Sequence, residues 1–256
     1  MLILPNDLKS FIRETGEIFR FILRFFREGF RPRYEVAEFI RQCYVIGYKS
    51  LPLVALTAFI IGIVLTMQLR PTMVSYGVDV QIPAMVGVAI VREIGPILTA
   101  LIFAGKIGSS IGAELGSMKV TEQIDAMEVS GTNPFKYLVV TRTLAAMLML
   151  PVLVVLADGI ALFGSFLGVN IYESLTFNLF FKKVFDNLIY IDVIPAFIKT
   201  FFFGFAVGII GCFKGYYSEK GTEGVGLSAN SSVVVSSVLI FIIDLVAVQI
   251  AELFQH

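Results

Sequence analysis

Apolar and polar positions divide this chain into five long greasy stretches separated by short polar ones. The first runs from about 46 to 69, and its core, LPLVALTAFIIGIVLTMQL at 51–69, carries no charge. The second covers 83–110 and is interrupted by Arg92, Glu93 and Pro96. The others cover about 141–169, 193–213 and 228–254. About 20 helical residues cross the ~30 Å of a bilayer's hydrocarbon, so each stretch reads as a span. Alternation with a period of two is weak, which argues against a β-barrel. Pro52, Pro96, Pro151 and Pro195 are compatible with membrane helices, whose neighbours can satisfy freed backbone groups.

Two further segments have helical patterns of a different kind. Residues 6–31 place Lys9, Arg13, Arg20, Arg24, Arg27 and Arg31 within an arc of roughly 60°, at ~100° per residue. Phe11, Ile18, Ile22, Phe25 and Phe26 fall on the other side. A basic stripe with an aromatic back predicts a helix lying in the membrane interface near anionic headgroups. Residues 112–131, GAELGSMKVTEQIDAMEVSG, carry four acids and one lysine between the second and third spans. On a wheel, Val120, Ile124 and Met127 gather on one side and Glu114, Glu122, Asp125 and Glu128 on roughly the other. This predicts a short amphipathic helix over about 112–129, closed by Gly131 and Asn133-Pro134. The segment 170–192 reads as a short amphipathic surface piece. The expected fold is therefore an all-α membrane protein: an N-terminal interfacial helix, five transmembrane helices, and an acidic helix between spans two and three.

Composition narrows the chemistry. The chain is 57% hydrophobic and 16% charged, well below the usual quarter for soluble domains. Lys and Arg balance Asp and Glu at 20 each, so no nucleic-acid partner is implied. The single histidine is His256, which removes His-based catalysis and His-ligated metals, and Cys43 and Cys212 lack metal-ligand spacing. Orientation follows from loop cations. Residues 1–50, 105–142 and 214–226 hold fifteen Lys and Arg, against Arg70, Lys182 and Lys183 on the other side. The N-terminus, the acidic helix and the 214–226 loop are thus expected in the cytoplasm, with the C-terminus outside. Glycines four apart (108, 112 and 116; 164 and 168; 204 and 208) predict close helix packing.

Charges inside the spans mark function by default, since each costs a few kcal/mol or more unless it faces a cavity or a partner. Arg92 and Glu93 lie roughly 14 Å along the second span from Pro83. Lys199 falls early in the fourth, nearer the outer surface, and Asp244 falls deep in the fifth as a partner for a basic residue. Arg92, Glu93 and Lys199 are candidates for lining a substrate cavity. The competing reading is an internal ion pair that ties helices together. Asp158 in the third span has no assigned role.

The run REIGPILTALIFAGKIGSSIGAELGSMKVTEQIDAMEVSGTNP and the second run KGTEGVGLSANSSVVVSS at 220–237 resemble the signatures of the MlaE/YrbE permeases. These are membrane subunits of ABC lipid transporters associated with MCE proteins. The resemblance covers essentially the whole chain. It implies that 112–129 is a coupling helix docked on a separate ATPase, with Glu114, Met118, Glu122 and Asp125 in contact. It implies two copies of this subunit, an ATPase dimer that binds the ATP and Mg, an MCE-domain hexamer in the periplasm and a small STAS-type cytoplasmic protein. The substrate would be a lipid, most often phospholipid, and the location a bacterial inner membrane. The chain lacks a G-x-x-x-x-G-K-[ST] phosphate loop, so it needs no nucleotide cofactor of its own.

Two other classes compete. An ATP-independent carrier or channel needs no cytoplasmic handle and often shows internal repeats, which this sequence lacks. An intramembrane enzyme needs a nucleophile and a base. Without an internal histidine, Ser109 and Ser110 with Lys106 are the crowded option.

Overall fold

The computed structural model describes residues 6–31, 35–219 and 221–253, with side chains from residue 13 onwards. Lys220 and His256, named above, lie outside what it describes, as do the side chains of Lys9 and Phe11. Among the described residues the chain is helical, with no strand, and five helices are long and apolar enough to cross a membrane. In chain order the elements are α1 (Asn6–Gly29), α2 (Val36–Ser75), α3 (Asp79–Val120), α4 (Gln123–Val129), α5 (Phe135–Asn170), α6 (Phe177–Asn187), α7 (Tyr190–Tyr216) and α8 (Thr222–Leu253). The spans are α2, α3, α5, α7 and α8. Each outruns the apolar stretch that reveals it, because a helix in water beyond the bilayer still satisfies its own backbone.

The packing has a centre and two flanks. Helix α7 packs against α5, α8 and the second half of α3, while α2 lies along α5. Small residues set those contacts. A Cβ at Gly204 would stand 2.6 Å from the Ala146 carbonyl oxygen, and one at Gly208 2.9 Å from the Thr143 Cα. On the other seam, a Cβ at Gly62 would fall 1.9 Å from the Ala161 carbonyl oxygen. Backbone thus meets backbone, and the dispersion gained is what joins helices where lipid removes the hydrophobic drive. Beside it Thr66 and Ser165 hydroxyls share a buried hydrogen bond of 2.7 Å.

Two apolar cores stack along the bundle. One gathers Phe21 and Phe25 of α1, Phe103 and Leu115 of α3, Phe135 and Leu150 of α5, and Phe203 and Phe213 of α7. The other joins Val54, Val86, Ile90, Ala161, Phe180 and Val184. Helix α6 closes this second end, with Val184 seated where a side chain at Gly87 would be.

Four stretches widen to π-helical turns: Tyr44–Tyr48, Ile90–Ile94, Ala104–Gly108 and Phe135–Val140. The second has a local cause. Pro96 has no N–H for the carbonyl of residue 92, and the turn before it opens so that Gly95 N–H bonds Ile90 O instead.

Two expectations need correction. The aromatic back of α1 does not face lipid as one surface: Phe21 and Phe25 are buried in the protein, while Phe26 stays exposed. The segment 112–129 is also not one helix. Residues up to Val120 continue α3, with Gly112, Leu115 and Gly116 packed against α7 and α8. The chain breaks at Thr121–Glu122, and only Gln123–Val129 forms a separate helix. An apolar wheel cannot separate those pieces, because the break resides in one backbone angle: Glu122 has φ 59°.

Candidate functional site

The intramembrane charges named from sequence come together, and a residue the sequence reading left in the surface segment joins them. Lys199 Nζ on α7 donates to Glu93 Oε2 on α3 at 2.6 Å and to Asp244 Oδ1 on α8 at 2.8 Å. Arg92 Nη1 donates to Asp192 Oδ1 at 3.4 Å, and its Nε lies 4.0 Å from Glu93 Oε1. Three spans are therefore pinned by two cations and three carboxylates. Asp192 was legible in principle: it lies seven residues before Lys199 on α7, so both project from one face of that helix.

This geometry changes the reading of the pair. Arg92 and Glu93 both turn to α7, one to Asp192 and the other to Lys199. The widened turn Ile90–Ile94 carries them both. Lys199 is not nearer the surface than Glu93; the two touch. Its side chain is 3% exposed, whereas Arg92 and Glu93 are each about a third exposed. Four of the five, Arg92, Glu93, Asp192 and Lys199, line a crevice of about 20 Å³ with Pro195, Ala196 and Ala251 beside them, room for a water and no more. As they stand, the two cations are already neutralised, and Arg92 and Glu93 present the most surface to anything arriving from outside.

Asp158 on α5 lies one helix away from this cluster. Its Oδ1 is fully shielded and has no hydrogen-bond partner among the described residues. It occupies the space a side chain at Gly95 would need, 1.8 Å from where that Cβ would be.

The acidic segment forms the second part of the site. Glu114 near the end of α3 accepts from Arg142 Nη2 at 2.8 Å, and Arg142 at the start of α5 is 3% exposed. Glu114 is therefore a tie between spans with one half of its side chain left in the open. Asp125 on α4 pairs with Lys119 at 2.8 Å and so folds α4 back towards the end of α3. Ile124 is buried beneath, while Met118 is half-buried against the core. Glu122 and Glu128 are exposed, and Val129 is 91% exposed. The turn after α4 is held from α1: Asn133 Nδ2 donates to Glu28 Oε2 at 3.0 Å, and Lys136 Nζ donates to the Arg31 carbonyl at 2.7 Å. Sequence reasoning missed Glu28 and Arg142 because one sat in a basic stripe and the other was counted as a loop cation.

The crowded Ser109, Ser110 and Lys106 are not arranged as nucleophile and base. Ser109 Oγ donates back to the Gly105 carbonyl of its own helix, and Lys106 Nζ donates to the Lys49 carbonyl of α2. The first bond stays within α3, and the second ties α3 to α2.

The model of the MlaE permease family matches residues 39–250. The chain belongs to the MlaE permease family. This permease is also similar to curated relatives over most of its length. It is 43% identical to a probable ABC transporter permease of Rickettsia typhi, over 83% of this chain and 82% of that one. Its identity with a probable ABC transporter permease of Rickettsia felis is 40%, over 96% and 93%. A probable ABC transporter permease of the cyanobacterium Synechocystis is 33% identical over 89% and 84%.

Proposed function

We propose that this MlaE-family permease is the membrane subunit of an ABC transporter that moves lipid, above all phospholipid, between the inner membrane and a periplasmic MCE-domain protein. A separate ATPase dimer binds and hydrolyses the ATP. The observation that carries this reading is the hinged acidic segment. Helix α4 projects beyond the end of α3 on a left-handed Glu122, its neighbouring acids are exposed, and it is tied to α3 and α5 on one side and α1 on the other. A load applied to α4 would reach α3 through Lys119, α5 through the short turn at Gly131–Asn133, and α1 through Glu28. Glu114, Met118, Glu122 and Asp125 are the proposed ATPase contacts.

At the other end, Arg92 and Glu93 are the members of the charge cluster that a lipid headgroup would meet. Lys199 and Asp244, both largely buried, hold that pair in place. Phosphate recognition by an arginine whose fork has spare donors is a standard pairing. The fifth span supports a second copy of the subunit: only 11% of its most apolar window is buried within one chain. Its bare face, with that of α2, would meet the partner protomer around a lipid cavity. The loop cations place the N-terminus and α4 in the cytoplasm and the C-terminus in the periplasm. An MCE hexamer on the outer side and a small STAS-type protein on the ATPase complete the expected assembly.

The test is to purify the full chain from its native membrane in mild detergent and to identify its companions by mass spectrometry. An ATPase and an MCE-domain protein are expected, with the ATPase lost when Glu122→Lys and Asp125→Lys are combined. A chain that emerges alone in every detergent would overturn the coupling role and favour an ATP-independent carrier.

A further inference from the structure

A proline inside a membrane helix strands carbonyl groups, and hydrocarbon offers them no replacement donor. In α3 the gap lies at Pro96. Gly95 N–H bonds Ile90 O across the opened turn, so the Val91 carbonyl loses the amide that an α-helix would give it. The Arg92 carbonyl in turn faces a proline nitrogen that carries no hydrogen. This is the turn from which Arg92 and Glu93 reach α7.

Asp158 of α5 sits over that gap. Its Oδ1 lies 1.8 Å from the point a Gly95 Cβ would occupy, and Ile90 O lies 2.9 Å from the same point. A Cβ tilts over the turn N-terminal to it, so the carboxyl oxygen looks onto the carbonyl oxygens of the opened turn. Acceptor therefore faces acceptor. Oδ1 is fully shielded, and no donor answers it among the described residues.

The neighbouring helices bring no cation to balance a carboxylate here. On α3, Arg92 pairs with Asp192 and Glu93, and on α7, Lys199 pairs with Glu93 and Asp244. Helix α2 carries no charge from Ser50 to Leu69, and α5 has none but Asp158 from Thr143 to Asn170. Asp158 also lies twelve residues, roughly 18 Å, from the Asn170 end of α5, at a depth where hydrocarbon surrounds the bundle. An isolated ionised carboxylate is costly in that setting.

We propose that Asp158 is held in its protonated form and donates its O–H to the carbonyls of the turn Ile90–Ile94, which makes it the residue that positions Arg92 and Glu93. A protonated carboxyl is a donor, whereas a carboxylate only accepts. A donor from an adjacent helix is also one of the means by which membrane helices tolerate proline. Gly95 is what admits the carboxyl to the gap. Ionisation would set a negative charge against carbonyl oxygens and draw Arg92 away from the buried Asp192. The inference rests on the packing of α5 against α3 and holds whether or not the protein moves lipid.

Two variants of the full-length protein, reconstituted in lipid bilayers at neutral pH, test the assignment. Asp158→Asn keeps the shape and a donor; Asp158→Leu keeps the bulk and has none. The infrared difference between the parent and Asp158→Asn should contain a protonated-carboxyl stretch that shifts in deuterium oxide, with the carboxylate bands unchanged. Amide exchange across residues 90–95 should be about tenfold faster in Asp158→Leu, the loss of one hydrogen bond, and within about twofold of the parent in Asp158→Asn. A carboxylate band in the difference spectrum in place of the protonated one would overturn the proposal. Equal exchange in the Leu and Asn variants would remove the positioning role. If Asp158→Leu does not fold, the infrared comparison with Asp158→Asn decides alone.

Discussion

Lys199 provides the sharpest test of how the spans are held. Replacing it by Met keeps the volume of the side chain and removes the cation between Glu93 and Asp244, which lie 2.6 and 2.8 Å from its Nζ. Arg92 is then left to balance three carboxylates, and it faces Asp192 rather than Asp244. Removing one partner of a buried pair costs about 3–5 kcal/mol, because the charge left behind is uncompensated. At roughly 2–4 °C per kcal/mol for a chain of this size, the midpoint of thermal unfolding should fall by about 10 °C. The assay is the monodisperse fraction surviving a temperature ramp in one detergent, read by size exclusion. A second variant separates charge from packing. Lys199→Met with Glu93→Gln and Asp244→Asn has no stranded carboxylate around position 199, and replacing buried ion pairs by neutral groups is often close to neutral. It should recover most of the loss. If Lys199→Met alone unfolds within about 2 °C of the parent, the triad does not hold the spans together. Lys199 would then return to the position of a residue free to meet substrate.

Two further outcomes follow from backbone geometry. Gly95→Ala drives a methyl group into Asp158 and should lower stability by about 1–3 kcal/mol, as overpacking does; Gly95→Ala with Asp158→Ala should recover much of that, and additive losses in the same thermal assay would refute the contact. Glu122→Gly relieves a left-handed backbone that costs an L-residue about 1–2 kcal/mol, so it should leave stability unchanged or slightly raised, whereas Glu122→Val should lower protection of the α4 amides in hydrogen exchange.

Most of the architecture could be read directly from the residue pattern. Hydrocarbon tolerates only backbone that bonds itself, so an apolar stretch of span length has one common solution, and five were visible. The loop cations, the intramembrane charges and the glycine spacings were visible for the same reason: each is expensive or unusual in that setting. Asp244 was expected to meet a basic residue, and Lys199 is beside it. The acidic segment was harder. Its wheel shows which side is wet but not where the helix stops, because Val120 ends α3 through a single left-handed residue that composition does not announce. Glu28 and Asp192 were hidden differently. Each lies in a stretch whose average character is basic or mixed, and its role depends on what packs opposite.

The order of residues is enough to establish a five-span helical membrane protein with charges stored in its spans and an acidic segment outside them. Its two signature runs already pointed to the family. What those charges do to one another depends on how the helices pack. Gly95 belongs to the Arg-Glu-x-Gly-Pro run, yet its need for no side chain comes from Asp158 on another helix. Arg92 and Glu93 are adjacent in sequence, yet they are neutralised by Asp192 and by Lys199, residues about a hundred positions away. Periodicity is local, set by the turn of one helix, whereas charge compensation and steric clearance are pairwise and depend on which helices are neighbours.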